Sequence, residues 1–90
     1  MTNTIGDISD VVINYQITNI VVTLLRLRHK AHMTQQQLSV ATGIPRYKIS
    51  KIETYKTIPD LKTIIILLNY YGARLDVIVP PKSNTANIRK

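Results

Sequence analysis

The segment from Thr34 to Glu53 limits what this chain can become more than any other stretch. It reads as two short amphipathic helices joined by a tight turn. Thr34 is placed to cap the first helix while Gln37 reaches back to the cap, the two halves of a capping box. Met33 and Leu38 hold the positions of a hydrophobic staple. Leu38 and Ala41 are the expected buried side. Gly43 follows and can take a positive φ without steric cost. Pro45 suits the first turn of the next helix, where its missing N–H does no harm. Ile49 and Ile52 give that helix one apolar edge. Arg46, Lys48 and Lys51, with Tyr47 and Ser50, cover much of the rest.

The flanking segments build a small domain around this pair. Ile20, Leu24, Leu27 and Ala31 fall at helical spacing and predict a helix over about 18–31. Pro59 breaks the chain, and Asp60 is a suitable cap for a last helix ending near Tyr71. Leu61, Ile64, Ile65 and Leu68 form its expected core stripe. Ile66, Leu67 and Tyr70 are apolar on other faces, so part of this helix is expected to meet a second copy. Gly72 ends it. Leu75, Val77 and Val79 then alternate with Arg74 and Asp76, which predicts a short strand. A lone strand leaves its backbone groups unpaired. Its partner is either the same strand of another chain or residues 11–15. Residues 1–16 read as an arm, disordered or a short strand, and 80–90 as a mobile tail. The domain proper spans 17–79.

Composition narrows the function classes. The formal charge is +7, and its placement is uneven. Residues 1–25 hold Asp7 and Asp10 and no cation, whereas 26–56 hold seven cations and Glu53 alone. A basic centre suits a polyanion, although a solvated surface has the same composition. The absence of Cys excludes disulfides and thiolate metal sites. His29 and His32 lack companions for a metal site, and no cofactor is implied. No nucleophile, base and orienting group stand together in the sequence, so an enzyme is not expected. No apolar run approaches the roughly 18 residues of a membrane span. A cytoplasmic, nucleoid-associated protein is the expectation.

Thr34-Gln35, Leu38, Gly43-Ile44, Ile49-Ser50, Ile52-Glu53 and Pro59, in this order, resemble the λ-repressor-like (Cro/XRE) helix-turn-helix domain. The resemblance covers roughly residues 18–71 and implies a mainly α fold. Such a domain has four to five helices, here with a short C-terminal β-strand. Gly72 to Val79 resembles the strand of HipB-type antitoxins, which pairs across a dimer as a lid. Three positions depart from the family. Ser39 replaces the usual Ala and is small enough for the helix crossing. His32 replaces a Gly and must accept an unusual backbone angle. Tyr55 replaces another and leaves the 54–58 loop open.

The resemblance assigns roles to particular residues. The helix after Pro45 would lie in the major groove of double-stranded DNA, with Arg46, Tyr47, Lys48 and Lys51 near the bases. Arg46 is the first choice to grip guanine O6 and N7, with a phosphate contact as the alternative. Gln35 would hold a phosphate and brace that helix, and Thr54 and Lys56 would position the backbone. Arg28 and Glu53 would pair as a structural brace. Ile66, Leu67, Tyr70, Leu75, Val77 and Val79 would form a homodimer over a pseudo-palindromic operator. The function implied is a repressor, the HipB-like antitoxin of a toxin–antitoxin operon that autoregulates its promoter and binds a HipA-like toxin kinase. The alternative is a stand-alone phage or mobile-element regulator without a toxin.

Overall fold

The computed structural model describes the backbone of residues 2–80 and the side chains of 10–80. The expected tail lies, from residue 81 on, outside the described residues. Four helices follow one another: α1 (Thr2–Lys30), α2 (Gln35–Thr42), α3 (Arg46–Glu53) and α4 (Leu61–Tyr70). Helix α1 is 29 residues long, about 43 Å at 1.5 Å per residue. It accounts for most of the molecule's 51 Å long axis.

The N-terminal residues therefore differ from the strand or disorder expected of them. The alternation of Val11, Ile13 and Tyr15 covers only five residues. Ile13, Ile17, Ile20 and Leu24 carry a helical stripe straight through the same region. Extending an existing helix costs far less than starting one, so the longer period prevails.

The core is a cluster of Leu24, Leu38, Ile44, Ile49, Ile64, Leu67 and Leu68. Val21 and Ile52 are each only 1% exposed. Ile20, Leu27, Met33, Ile66 and Tyr71 pack against the cluster from its edge. On α2 only Leu38 is buried; Ala41 is exposed, as is Ala31 after α1. Helix α4 turns differently from the expected stripe. Leu61 is 60% and Ile65 39% exposed, whereas Leu67 is 3% exposed. Leu67 thus belongs to the protomer's own core and leaves the set of dimer-surface residues. Apolar residues on every side of α4 gave the sequence no means of choosing its inward face; packing against α2 fixes it.

Helix ends follow local chemistry. The Thr34 hydroxyl accepts from the Gln37 N–H at 3.0 Å, and the Thr34 N–H donates to Gln37 Oε1 at 2.9 Å. Such a cap contributes about 1 kcal/mol. Asp60 sits at the N-cap of α4 with no side-chain bond to the helix backbone. Its carboxylate instead accepts from the Thr63 hydroxyl. Helices α1, α3 and α4 each end in the same six-residue closure. Met33 N–H reaches Arg28 O, Lys56 N–H reaches Lys51 O, and Ala73 N–H reaches Leu68 O. That closure needs a left-handed residue. Gly72 supplies it after α4, but His32 (φ 56°) and Tyr55 (φ 61°) supply it elsewhere. These are the two positions where the resembled family has glycine.

Beyond α4, residues 73–80 form no ladder among the described residues. Asp76 Oδ1 accepts from the Val77 N–H instead. Residues 11–15, one of two partners considered for this segment, are helical and cannot pair with it.

One ionic cluster joins three helices. Arg28 on α1 donates from Nε and Nη2 to the two oxygens of Glu53 on α3, both at 2.7 Å. Arg28 Nη1 donates to the Met33 carbonyl at 2.8 Å, and Gln35 Nε2 on α2 donates to Glu53 Oε1 at 2.9 Å. The paired side chains are only 11% and 7% exposed. The Glu53 hydrogen bonds lead the influences that raise the Arg28 pKa further, so the guanidinium stays charged at every ordinary pH. Tyr71 lies beside this cluster, and its buried hydroxyl has no hydrogen-bond partner among the described residues. Burial pushes its pKa up.

This packing has three measurable consequences. Glu53→Ala strands a buried guanidinium at about 3–5 kcal/mol, and a thermal melt should drop by more than roughly 10 °C; an unchanged melt would show that the pair braces nothing. Tyr55→Gly relieves a left-handed L-residue and should stabilise by about 0.5–1 kcal/mol, allowing for the freer unfolded chain, read as a higher denaturant midpoint. Tyr71→Phe removes an unpaired buried hydroxyl and should stabilise by about 1 kcal/mol. The folded protein keeps the Tyr71 proton where the unfolded chain loses it. Parent stability should therefore fall as pH rises past the ordinary tyrosine range, and the alkaline decline of the Tyr71→Phe variant should be shallower.

Candidate nucleic-acid interface

Helix α3 buries Ile49 and Ile52 and leaves the opposite side open. With two residues fixing its inward edge, its cations can only project outward. Arg46, Tyr47 and Lys51 are exposed and Lys48 half-exposed. The Lys51 ammonium lies 5.9 Å from the centre of the Tyr47 ring, one turn away and within cation–π range. The Arg46 guanidinium makes no hydrogen bond or ion pair among the described residues. Lys48 leans the other way, toward Asp60 at 3.5 Å. Both members of that pair are well solvated, so it contributes little and exchanges readily. The Thr63 hydroxyl, and then Lys48, hold the Asp60 carboxyl below its usual range.

The surrounding elements extend this surface. The N-terminus of α2 is capped by Thr34, and Gln36 beside it is exposed. Gln35 is half-buried, with Nε2 committed to Glu53. One hydrogen of that amide remains free for a further acceptor. After α3, Thr54 donates its hydroxyl hydrogen back to Ser50 O at 2.8 Å. Its oxygen can then only accept, so Thr54 offers an anion no hydroxyl donor. Lys56 and Tyr55 are both exposed.

The structure therefore brings Arg46, Tyr47, Lys48 and Lys51 together on one helix, with Lys56 just past its end. It sets Arg28 and Glu53 behind them as a buried pair, with Gln35 linking that pair to α2. Ile66 is half-buried, and Tyr70, Leu75, Val77 and Val79 are exposed. Two features had no sequence signal. The Lys48–Asp60 contact crosses a loop whose path spacing does not reveal, and the pull of Glu53 on Gln35 depends on the α2–α3 crossing. Gln36 was legible in principle, as the second residue of a capped helix whose neighbour was already singled out.

The arrangement offers a convex rod of cations with no carboxylate free on its outer face except Asp60 at the rim. Backbone N–H groups at the start of α2 add partial positive charge. Two helices at a fixed crossing, with the second one basic and outward, match the geometry that reads duplex DNA through the major groove. No helix among the described residues is long and apolar enough to cross a membrane. Searches of curated proteins and of solved structures gave no significant match. A family model described as helix-turn-helix matches residues 24–78, from the middle of α1 to the segment after α4. The chain belongs to the helix-turn-helix family of DNA-binding regulators, of the Cro/XRE type.

Proposed function

We propose that the chain is a sequence-specific transcriptional repressor that binds a pseudo-palindromic operator as a homodimer. The observation that carries this reading is the outward row of Arg46, Tyr47 and Lys51 on a helix whose sole carboxylate, Glu53, is turned inward and neutralised. Arg46 reads a guanine edge through two parallel hydrogen bonds. Lys48 releases Asp60 and joins Lys51 on bases or phosphates. Gln35, Lys56 and the backbone near Thr54 set the register on the phosphates. Two such helices in a dimer would meet half-sites about 34–36 Å apart.

The dimer surface is drawn from Ile66, Tyr70, Leu75, Val77 and Val79. The segment 73–79 supports this, because Leu75, Val77 and Val79 are exposed and its backbone joins no ladder among the described residues. Pairing with the same segment of a second copy would satisfy its backbone, as in HipB-type lids. On that ground the finer reading is a HipB-like antitoxin that represses its own operon and binds a HipA-like toxin kinase. Its expected location is the cytoplasm, on the nucleoid. A stand-alone regulator without a toxin is the alternative. Expression of the native operon, with identification of any co-purifying kinase, separates the two.

The DNA reading makes its own demand. Binding to a selected operator, followed by fluorescence anisotropy, should weaken steeply with salt as phosphate neutralisation releases counterions. Arg46→Ala should lose about 1–3 kcal/mol and relax preference at one base pair. Lys56→Ala should weaken all sequences alike and reduce the salt slope by about one. Salt-insensitive binding, or an Arg46→Ala variant with unchanged sequence preference, contradicts the assignment.

A further inference from the structure

The first half of α1 is helical although little in its composition favours a helix. It is rich in Thr, Asn, Asp, Val and Ile, all mediocre or poor helix formers. Val12 is 48% and Ile13 53% exposed, and residues 10–16 are all exposed, so this stretch lacks the packing from which most helices draw their stability. It also precedes Leu24, where the family match begins. Further along the same helix, Asn19, Ile20 and Thr23 form one wall of a groove whose other wall is Leu68, Arg74 and Leu75. Val12, Gln16, Asn19 and Thr23 recur at helical spacing, with Ile13 and Ile20 beside them. The exposed arm and the groove therefore lie on one side of one helix.

We propose that this half-helix is a dimerisation arm whose occupant is the same arm of a second copy. The two α1 helices pack antiparallel about a two-fold axis near Gln16. Each copy's Val12 and Ile13 then enter the other's groove against Ile20, Leu68 and Leu75. The occupant cannot be the chain's own arm, because α1 runs unbroken from Thr2 to Lys30 and carries the arm away from its own groove. Charge selects the same partner. Residues 1–25 hold two acids and no cation, and the groove that would receive the partner's acidic arm is lined by Arg74. The seam is apolar at its two ends and polar at Gln16 and Asn19 in the middle. Such a centre favours one register over slipped ones. The contact is isologous, so it closes at two copies.

This inference deepens the dimer reading, and its test separates the two. The full chain is followed by sedimentation velocity without DNA, as parent, Ile13→Lys and Val77→Lys. Because the chain has no Cys, Gln16→Cys and Val40→Cys serve as single-thiol probes under mild oxidation. Both replace exposed residues, Val40 on α2 being 76% exposed. The expected result is a dimer for the parent and self-association weakened at least about tenfold in Ile13→Lys. The domain's thermal melt should persist in that variant. The thiol at 16 should give a disulfide dimer far faster than the thiol at 40. Equal dimerisation of Ile13→Lys and parent overturns the arm, as does equal cross-linking at 16 and 40. Loss of the dimer in Val77→Lys alone places the interface on the terminal segment and leaves the repressor dimer standing. A monomeric parent overturns both.

Discussion

The three-helix junction at Glu53 is the interaction on which the rest of the structure depends. Its carboxylate accepts from Arg28 on α1 and from Gln35 on α2 while belonging to α3. Arg28 in turn holds the Met33 carbonyl, in the turn that leads into α2. One buried ion pair thus fixes the mutual angle of the two helices and the loop that precedes them. Buried pairs are a poor source of net stability, since desolvation offsets much of the attraction. What this one supplies is geometry. Its guanidinium is planar and bidentate, so it tolerates little rotation of α3 about its axis.

That constraint has an electrostatic consequence on the other side of α3. With Glu53 drawn inward and neutralised, no acid on the helix competes with Arg46 and Lys51 for an approaching anion. The remaining acid in reach is Asp60, which holds Lys48 by a solvated contact. An exposed pair of this kind gives way once a phosphate or a base edge offers a better partner, because screening leaves it little to lose. The surface is basic by position as well as by count.

The sequence made the central helices legible because their punctuation is local. Thr34 with Gln37, Gly43, Pro45, Asp60 and Gly72 act through bonds within a few residues, so spacing alone places α2, α3 and α4 to within a residue or two. Where the outcome depended on distant contacts, spacing failed. Val21 is almost wholly buried, yet it stands in an apolar run from Ile20 to Val22 in which periodicity selects no single face. The exchange of Leu61 and Ile65 for Leu67 on α4 has the same cause. Arg28 and Glu53 lie 25 residues apart, and a resemblance, rather than any spacing rule, joined them. The left-handed turns at His32 and Tyr55 were similarly marked only by the glycines they replace. For the interface, the cations of α3 were readable, while the diversion of Lys48 and the commitments of Gln35 and Thr54 required the fold.

The two ends of the described chain bear on one another through size. A domain this small can enclose only a modest core, and here that core is filled by the second half of α1 and by α2 to α4. Among the described residues, Val11, Val12, Ile13 and Tyr15 before that core and Val77 to Val79 after it are left exposed. Val77, Ile78 and Val79 are 78–87% exposed, an arrangement that water penalises, and their backbone joins no ladder among the described residues. Both stretches adjoin the groove lined by Asn19, Ile20 and Thr23 of α1, Leu68 of α4, and Arg74 and Leu75. Burial of one in a second copy would draw the other toward the same axis. The physical pressure that ends the core of one protomer is thus the pressure that would join two.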